Sequence, residues 1–374
     1  MRATTAGVAN ARIADLQILR AVAASLVVVD HTIIGLPSWH FPYGRYLVAG
    51  DLCGALGVRA FFVLSGLIMV RQSAGRFGSQ KGSLIFAWRR ITRIVPMYWL
   101  ATWLWLGTLM MWHEKLDNVW EQTALSLFFI PNFLSTRGLM LPILQPGWTL
   151  NFEMGFYLLF SLVLLLPESR GIGALLFSIV GMYLVGGRVH PSGSTAALLL
   201  QYYTDPIILL FAVGVLLGFL ETRVTLGRWR FPISPALLLG LALALLFFPA
   251  AVNRRGFHGW GLPLSGFAVA VVLLCTLAKA RELGRAGRVA VLLGDASYCT
   301  YLFHGWIYGV AVAPIAYVAA HLHVENYALP LFLIGCVIAA NLLGLAVHLA
   351  IERPLTRLLQ RVRFRSAREV AAPL

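Results

Sequence analysis

The sequence predicts an all-α membrane protein with about ten transmembrane helices, and three observations support this prediction. Hydrophobic residues make up 59% of the 374 residues and charged residues only 12%, about half the charged share of a typical soluble domain. The mean hydropathy is +0.79. Long apolar runs recur along the chain, each near the roughly 20 residues that a helix needs to cross a bilayer. A soluble fold could not bury this much apolar surface, so most of the chain must be solvated by lipid.

The apolar runs predict a single membrane-embedded domain with short ends. Residues 1–15 would form a cytoplasmic N-terminus that leads into an uncleaved first span, and residues 353–374 a basic cytoplasmic tail. The run 122–134 is too short to cross and contains Pro131, so we expect it to be interfacial or re-entrant. The ten predicted spans of the core, residues 16–352, lie near 16–36, 52–70, 95–112, 150–167, 171–187, 205–220, 231–252, 260–280, 296–320 and 327–352.

The basic residues predict the orientation of these spans. The chain has 30 Lys and Arg against 15 Asp and Glu, a formal net charge of +15. Such a chain could bind nucleic acid, but in a membrane protein excess Arg is first a topology signal, because short cytoplasmic loops collect it. With ten spans, 22 of the 30 Lys and Arg residues lie on the side of the two termini, six lie on the opposite side and two lie inside spans. Both termini should therefore be cytoplasmic, and no nucleic acid partner is expected.

Two further features concern the tail and the cysteines. The tail has Leu and Val at helical spacing among six Arg, which favours a helix lying on the anionic inner leaflet. The four Cys lie in apolar runs without the spacing of a metal site. We therefore expect small buried hydrophobic residues there and no bound metal.

The first span carries three ionisable residues, Arg20, Asp30 and His31. His31 lies eleven positions after Arg20, which is about 1100° of helix rotation, so both point the same way, about 16 Å apart. One face would thus offer an anion-binding group near the cytosol and a base further along. The alternative is that Arg20 snorkels to the inner interface while His31 bonds a neighbouring span. Asp30 points about 100° away from His31 and would orient another partner or face the outer interface.

The second and fourth spans add Arg59, with Ser65 deeper, and Glu153. An intramembrane Arg needs a carboxylate, a phosphate or backbone carbonyls. Glu153 should lie at the depth of His31 and Arg59, where it could orient His31, raise its basicity or simply pair with Arg59. Catalytic and purely structural interpretations of Glu153 both remain open.

The inner loop before the third span contains Arg89, Arg90 and Arg93. These residues either anchor the loop by the positive-inside rule or bind a phosphate-rich cytosolic ligand, since Arg binds phosphate oxygens in bidentate fashion. The spacing of the three arginines does not distinguish anchoring from ligand binding. In the ninth span, His304 shares a face with Ser297 and Tyr301, and a packed, hydrogen-bonded histidine is the favoured interpretation.

Six segments, in order along nearly the whole chain, resemble the integral-membrane acyltransferases of the acyltransferase type 3 family. The segments are IADLQILRAVAASLVVVDH with Arg20 and His31, GVRAFFVLSGLIM with Ser65, FAWRRITRIVPMYW, WTLNFEMGFYLLF with Glu153 and Tyr157, GDASYCTYLFHGW with Tyr301 and His304, and IERPL. Met154 stands where a second acidic residue is common in the family, which leaves Glu153 alone in that role. Ala14 and Gln17 also depart from the usual residues, and a C-terminal esterase-like domain is not expected.

The resemblance implies transfer of an acyl group, most simply acetyl, from cytosolic acetyl-CoA or another acyl-CoA to a hydroxyl of a carbohydrate or lipid-linked sugar. The acceptor would belong to an exopolysaccharide, lipopolysaccharide or related glycoconjugate, and the enzyme to the bacterial inner membrane. His31 would be the general base and Glu153 its orienting partner, while Arg20, Arg89, Arg90 and Arg93 would bind the donor. The alternative function is a transporter or flippase of glycolipid precursors, although no repeated pair of Gly/Pro-broken spans is evident.

Overall fold

The computed structural model describes residues 5–35, 44–113, 118–132, 140–188, 194–223, 269, 284–307 and 325–369. All regular structure in these ranges is helical. The helices are α1 (Thr5–Gly35), α2 (Gly44–Gln72), α3 (Gln80–Met111), α4 (Val119–Leu127), α5 (Trp148–Val163), α6 (Glu168–Gly186), α7 (Thr195–Tyr203), α8 (Ile208–Arg223), α9 (Arg285–Phe303), α10 (Glu325–Val347) and α11 (Arg353–Glu369).

Six helical segments in the described ranges are long and apolar enough to cross a membrane. The prediction of a multi-pass helical membrane protein is thus confirmed, while the count of ten and the side of the termini stay predictions. The predicted spans 231–252 and 260–280 lie outside the described residues, apart from Val269. The six segments are Ala14–Gly35, Cys53–Gln72, Gln80–Met111, Glu168–Gly186, Thr195–Glu221 and Leu331–Arg361.

Several helix boundaries differ from the predicted spans. Helix α5 has 16 residues and ends at Val163 rather than at residue 167, because the chain turns before Pro167 and the residue before a proline disfavours helical backbone. Helix α9 begins at Arg285, eleven residues before the predicted start of the ninth span. Of the segment 122–134, residues 122–127 belong to the nine-residue helix α4, and whether the segment is interfacial or re-entrant stays a prediction.

The described chain divides into two compact units. The first comprises Met1–Arg71 and Leu209–Ala346, and the second comprises Gln72–Ile208 and Val347–Leu374. We call them the histidine unit and the arginine unit, after the side chains described below.

In the histidine unit, glycine brings the helix backbones close together. A Cβ on Gly294 of α9 would lie 1.9 Å from the carbonyl oxygen of Gln17 on α1, so only glycine fits there. Helices α2 and α8 cross in the same way, since a Cβ on Gly214 would lie 2.0 Å from the Val63 carbonyl oxygen. Small residues commonly mediate such close packing in membranes, where apolar burial from water does not drive helix association.

The arginine unit is organised around an antiparallel pair of helices, α3 and α5. Ser83, near the start of α3, donates to the carbonyl oxygen of Ser161 near the end of α5 at 2.6 Å. At the opposite end of the pair, a Cβ on Gly147 would lie 2.6 Å from the Tyr98 hydroxyl oxygen. Helix α3 begins at a regular cap, in which the Ser79 side chain accepts from the backbone N–H of Gly82.

The C-terminal segment is helical, as the sequence predicts. A π-helical turn, His348–Glu352, precedes α11, and His348 Nδ1 lies 2.6 Å from Glu352 Oε2 within it. Helix α11 contacts α3 in the arginine unit. Its position on the inner leaflet stays a prediction.

Candidate active site

Two imidazole rings meet in the histidine unit. Helices α1 and α9 pack along their length, and this brings His31 Nδ1 to 2.6 Å from His304 Nε2. The ring centroids lie 4.9 Å apart and the ring planes are inclined by 23°. His304 is 1% exposed, and its Nδ1 lies 2.7 Å from the Tyr301 carbonyl oxygen. His304 is thus packed and hydrogen-bonded, and His31 bonds a neighbouring helix, while the catalytic and structural roles of both residues stay predictions.

This histidine pair can act in proton transfer. His31 uses one ring nitrogen to bond His304, and the described residues provide no hydrogen bond to its other nitrogen, Nε2. An imidazole held at Nδ1 and open at Nε2 is the arrangement of a general base. The bond to His304 therefore leaves the catalytic interpretation of His31 intact.

At the other end of the same helix pair, Arg20 belongs to a short polar chain. Arg20 Nη1 donates to Gln17 Oε1 at 3.1 Å, and Gln17 Nε2 donates to Asp295 Oδ1 at 2.6 Å. Asp295 was not among the predicted site residues because it lies just before the predicted ninth span, whereas helix α9 already includes it. The signal available in the sequence was the acidic side chain of Asp295 itself, directly before the predicted apolar span.

Asp30 occupies a different face of α1 from His31. A Cβ on Gly54 would lie 1.9 Å from Asp30 Oδ2, which shows that the carboxylate packs against glycine on α2. Asp30 Oδ1 is buried without a hydrogen-bond partner among the described residues. The predicted divergence of Asp30 and His31 is confirmed. Arg59, 9% exposed, and Ser65 both lie on α2 in this unit.

In the arginine unit, Arg90 is enclosed by groups of the protein itself. It is 8% exposed, and its Nη2 donates to Gln72 Oε1 at 2.6 Å. Its guanidinium carbon lies 5.2 Å from the ring centroid of Tyr157 and 5.3 Å from that of Phe86, within the range of a cation–π contact. By contrast, Arg89 is exposed and Arg93 is half-buried.

Glu153 takes part in the same cluster. The Tyr157 hydroxyl, one helical turn later on α5, donates to Glu153 Oε1. The structure thus brings Glu153, Tyr157 and Arg90 together in one unit, and His31, His304 and Tyr301 in the other. The predicted pairings of Glu153 with His31 or Arg59 stay predictions.

Comparisons with known proteins identify the family of the chain. The model of the acyltransferase domain family, type 3, matches residues 13–349, a range that contains every candidate residue named above. The exopolysaccharide production protein ExoZ of Rhizobium meliloti (strain 1021) is 34% identical over 316 residues, which are 81% of this chain and 90% of that protein. No solved structure matches the chain significantly. With its helical membrane fold and a family match over most of its length, the protein belongs to the type 3 acyltransferases.

Proposed function

We propose that the protein is a membrane O-acetyltransferase that moves an acetyl group from cytosolic acetyl-CoA to a sugar hydroxyl of an exopolysaccharide. The family supports acyl transfer, and the name of the similar protein ExoZ supports an exopolysaccharide acceptor. The structural observation that carries the proposal is the histidine pair, in which no residue that the structure describes bonds His31 Nε2. A multi-pass protein of the bacterial inner membrane can meet a cytosolic donor and a lipid-linked or polymeric sugar.

His31 would perform the proton transfers of this reaction. Its Nε2 takes the proton of the sugar hydroxyl while the sugar oxygen attacks the thioester carbon, forming the new C–O bond. When the C–S bond breaks, the imidazolium returns the proton to the departing thiolate, and the products are the acetylated sugar and free coenzyme A. The histidine is regenerated, so no further reactant is needed.

Two arginines of α3, the exposed Arg89 and the half-buried Arg93, suit the phosphates of the donor. Arg89 and Arg93 carry guanidinium groups that are not fully buried, and such groups bind phosphate oxygens in bidentate fashion. We propose that they hold the donor, together with Arg20. Arg90 is bonded to Gln72 and packed on two rings, so we propose that it supports the same site from within the protein.

The experiment is a thiol-release assay on the full-length protein in nanodiscs, with acetyl-CoA and short oligosaccharides of the host's own exopolysaccharide. We expect acceptor-dependent release of thiol by the wild type. We also expect release by the control His113→Asn, which removes an exposed imidazole at a position with positive φ that asparagine tolerates. His31→Ala should release none. Thiol release by neither wild type nor control, with movement of lipid-linked sugar across the bilayer, would favour the transporter alternative.

A further inference from the structure

We propose that His304 is a positioning residue that fixes the tautomer of His31, so that Nε2 of His31 is the atom that removes the acceptor's proton. The proposal rests on the proposed function for its chemical consequence. The assignment of the protons, however, follows from the hydrogen bonds of the pair.

The Tyr301 carbonyl fixes the position of the proton on His304. A backbone carbonyl oxygen can only accept a hydrogen bond, and it lies 2.7 Å from His304 Nδ1. An unprotonated Nδ1 would place two lone pairs against each other at that distance. His304 Nδ1 therefore carries a proton and donates it to Tyr301.

A neutral imidazole has one N–H and one nitrogen lone pair, so the proton on His304 also fixes the proton on His31. With the proton of His304 on Nδ1, its Nε2 holds a lone pair and accepts. The partner at 2.6 Å, His31 Nδ1, must then donate. The proton of neutral His31 is thus on Nδ1, and its Nε2 holds the lone pair that a general base needs.

A doubly protonated resting pair is disfavoured by its surroundings. His304 is 1% exposed and follows the buried residues Ser297–Phe303 of α9, and a cation placed in the interior of a membrane protein is costly. The neutral pair avoids this cost. When His31 takes the acceptor's proton, its Nδ1–H still faces the lone pair of His304, which stabilises the transient imidazolium without a permanent charge in the bilayer.

Two substitutions of His304 separate positioning from packing. His304→Phe keeps a flat ring but removes both nitrogens, so His31 loses its acceptor. His304→Gln keeps a carbonyl oxygen that can accept from His31 Nδ1. We expect kcat to fall about 10²–10⁴-fold in the Phe variant, the range for a misplaced general base, with the KM for acetyl-CoA within about threefold of wild type. The kcat of His304→Gln should be at least about tenfold higher than that of His304→Phe.

The tautomer itself can be measured without any activity. Nitrogen-15 NMR of histidine-labelled protein distinguishes a protonated from an unprotonated ring nitrogen, and the spectrum of His31→Gln assigns the His31 signals by their absence. We expect Nδ1 protonated and Nε2 unprotonated in the wild type and in His304→Gln. In His304→Phe, the Nε2–H tautomer should become populated.

The outcomes decide between the possibilities. An Nε2–H tautomer at His31 in the wild type overturns the proposal, and this spectrum suffices even if His304→Phe fails to fold. Equal losses of kcat in the Phe and Gln variants, with the His31 tautomer unchanged, also overturn it. Absence of acetyl transfer by the wild type would refute the proposed function, while the NMR result would still decide the tautomer.

Discussion

Arg90 donates a hydrogen bond to Gln72 at 2.6 Å, so the middle arginine of the Arg89–Arg90–Arg93 group is bound within the protein. Its guanidinium also packs on the rings of Phe86 and Tyr157. The three arginines, which spacing alone treats as one group, therefore divide into one internal residue and two that can meet a ligand.

Arg90→Ala should destabilise the fold, whereas Arg89→Ala and Arg93→Ala should not. A hydrogen bond to a charged group contributes about 1.5–3 kcal/mol, and Arg90 itself is buried, so the melting temperature of Arg90→Ala in nanodiscs should fall. In Arg89→Ala and in Arg93→Ala, the KM for acetyl-CoA should rise about tenfold while the melting temperature stays unchanged. Arg170→Ala, which removes an exposed arginine elsewhere in the unit, is the control. An unchanged KM in both Arg89→Ala and Arg93→Ala would favour simple anchoring.

Glu153→Gln tests whether the carboxylate serves catalysis. Glutamine can still accept the hydrogen bond that Tyr157 donates to Glu153, so the fold should be retained while most thiol release is lost. Tyr157→Phe is the matched control: it removes the hydroxyl but keeps the ring beside Arg90, and it should retain most activity. Full activity of Glu153→Gln would remove Glu153 from the site.

The proposed link between Glu153 and Arg59 is tested by combining Glu153→Gln with Arg59→Met. If the two residues only pair with each other, the double variant should recover both melting temperature and thiol release. If Glu153 is catalytic, the double variant should recover stability alone.

Asn151 presents a buried amide without partners. It is 0% exposed, and neither its oxygen nor its nitrogen has a hydrogen-bond partner among the described residues. An unsatisfied buried polar group costs about 1–3 kcal/mol, so Asn151→Leu should raise the melting temperature. Asn132→Leu is the control, because Asn132 Nδ2 donates to Gln122 Oε1 at 2.8 Å and to the Leu141 carbonyl at 3.1 Å, and it should destabilise. Equal destabilisation by both substitutions would contradict this account.

Gly294→Ala should separate α1 from α9 and thereby disturb the histidine pair. Its Cβ would lie 1.9 Å from the backbone of Gln17, and overpacking of this kind costs about 1–3 kcal/mol. Both the melting temperature and thiol release should fall. Gly173→Ala, on α6 with no atom within 4 Å of the added Cβ, should be neutral or slightly stabilising. Wild-type activity in Gly294→Ala would show that the close contact is dispensable.

Hydropathy predicted much of the helical fold but not its precise limits. Apolar content does not distinguish the last turns of a helix from the apolar residues after it, so the fourth span was drawn four residues beyond Val163. A hydropathy window also excludes charged residues, so the ninth span was started after Asp295 although α9 already contains it.

Candidate residues could be selected from the sequence, whereas their partners could not. Ionisable residues are costly in lipid, which made His31 and Glu153, both in apolar spans, candidates. His31 and His304 are 273 positions apart in the sequence. Their contact depends on how two distant helices pack, which a single sequence does not reveal. The bond between Arg90 and Gln72 joins the end of one helix to the next, and spacing within the arginine group says nothing of it.

The central claim is that this membrane protein transfers an acetyl group with His31 as the base. The most direct measurement is mass spectrometry of exopolysaccharide from a strain lacking the chromosomal gene, complemented with the wild type, His113→Asn or His31→Ala at matched protein levels in the membrane. We predict O-acetyl groups with the wild type and with His113→Asn, and at least a tenfold loss with His31→Ala. Unchanged O-acetylation in the presence of His31→Ala, or in the uncomplemented strain, would contradict the account.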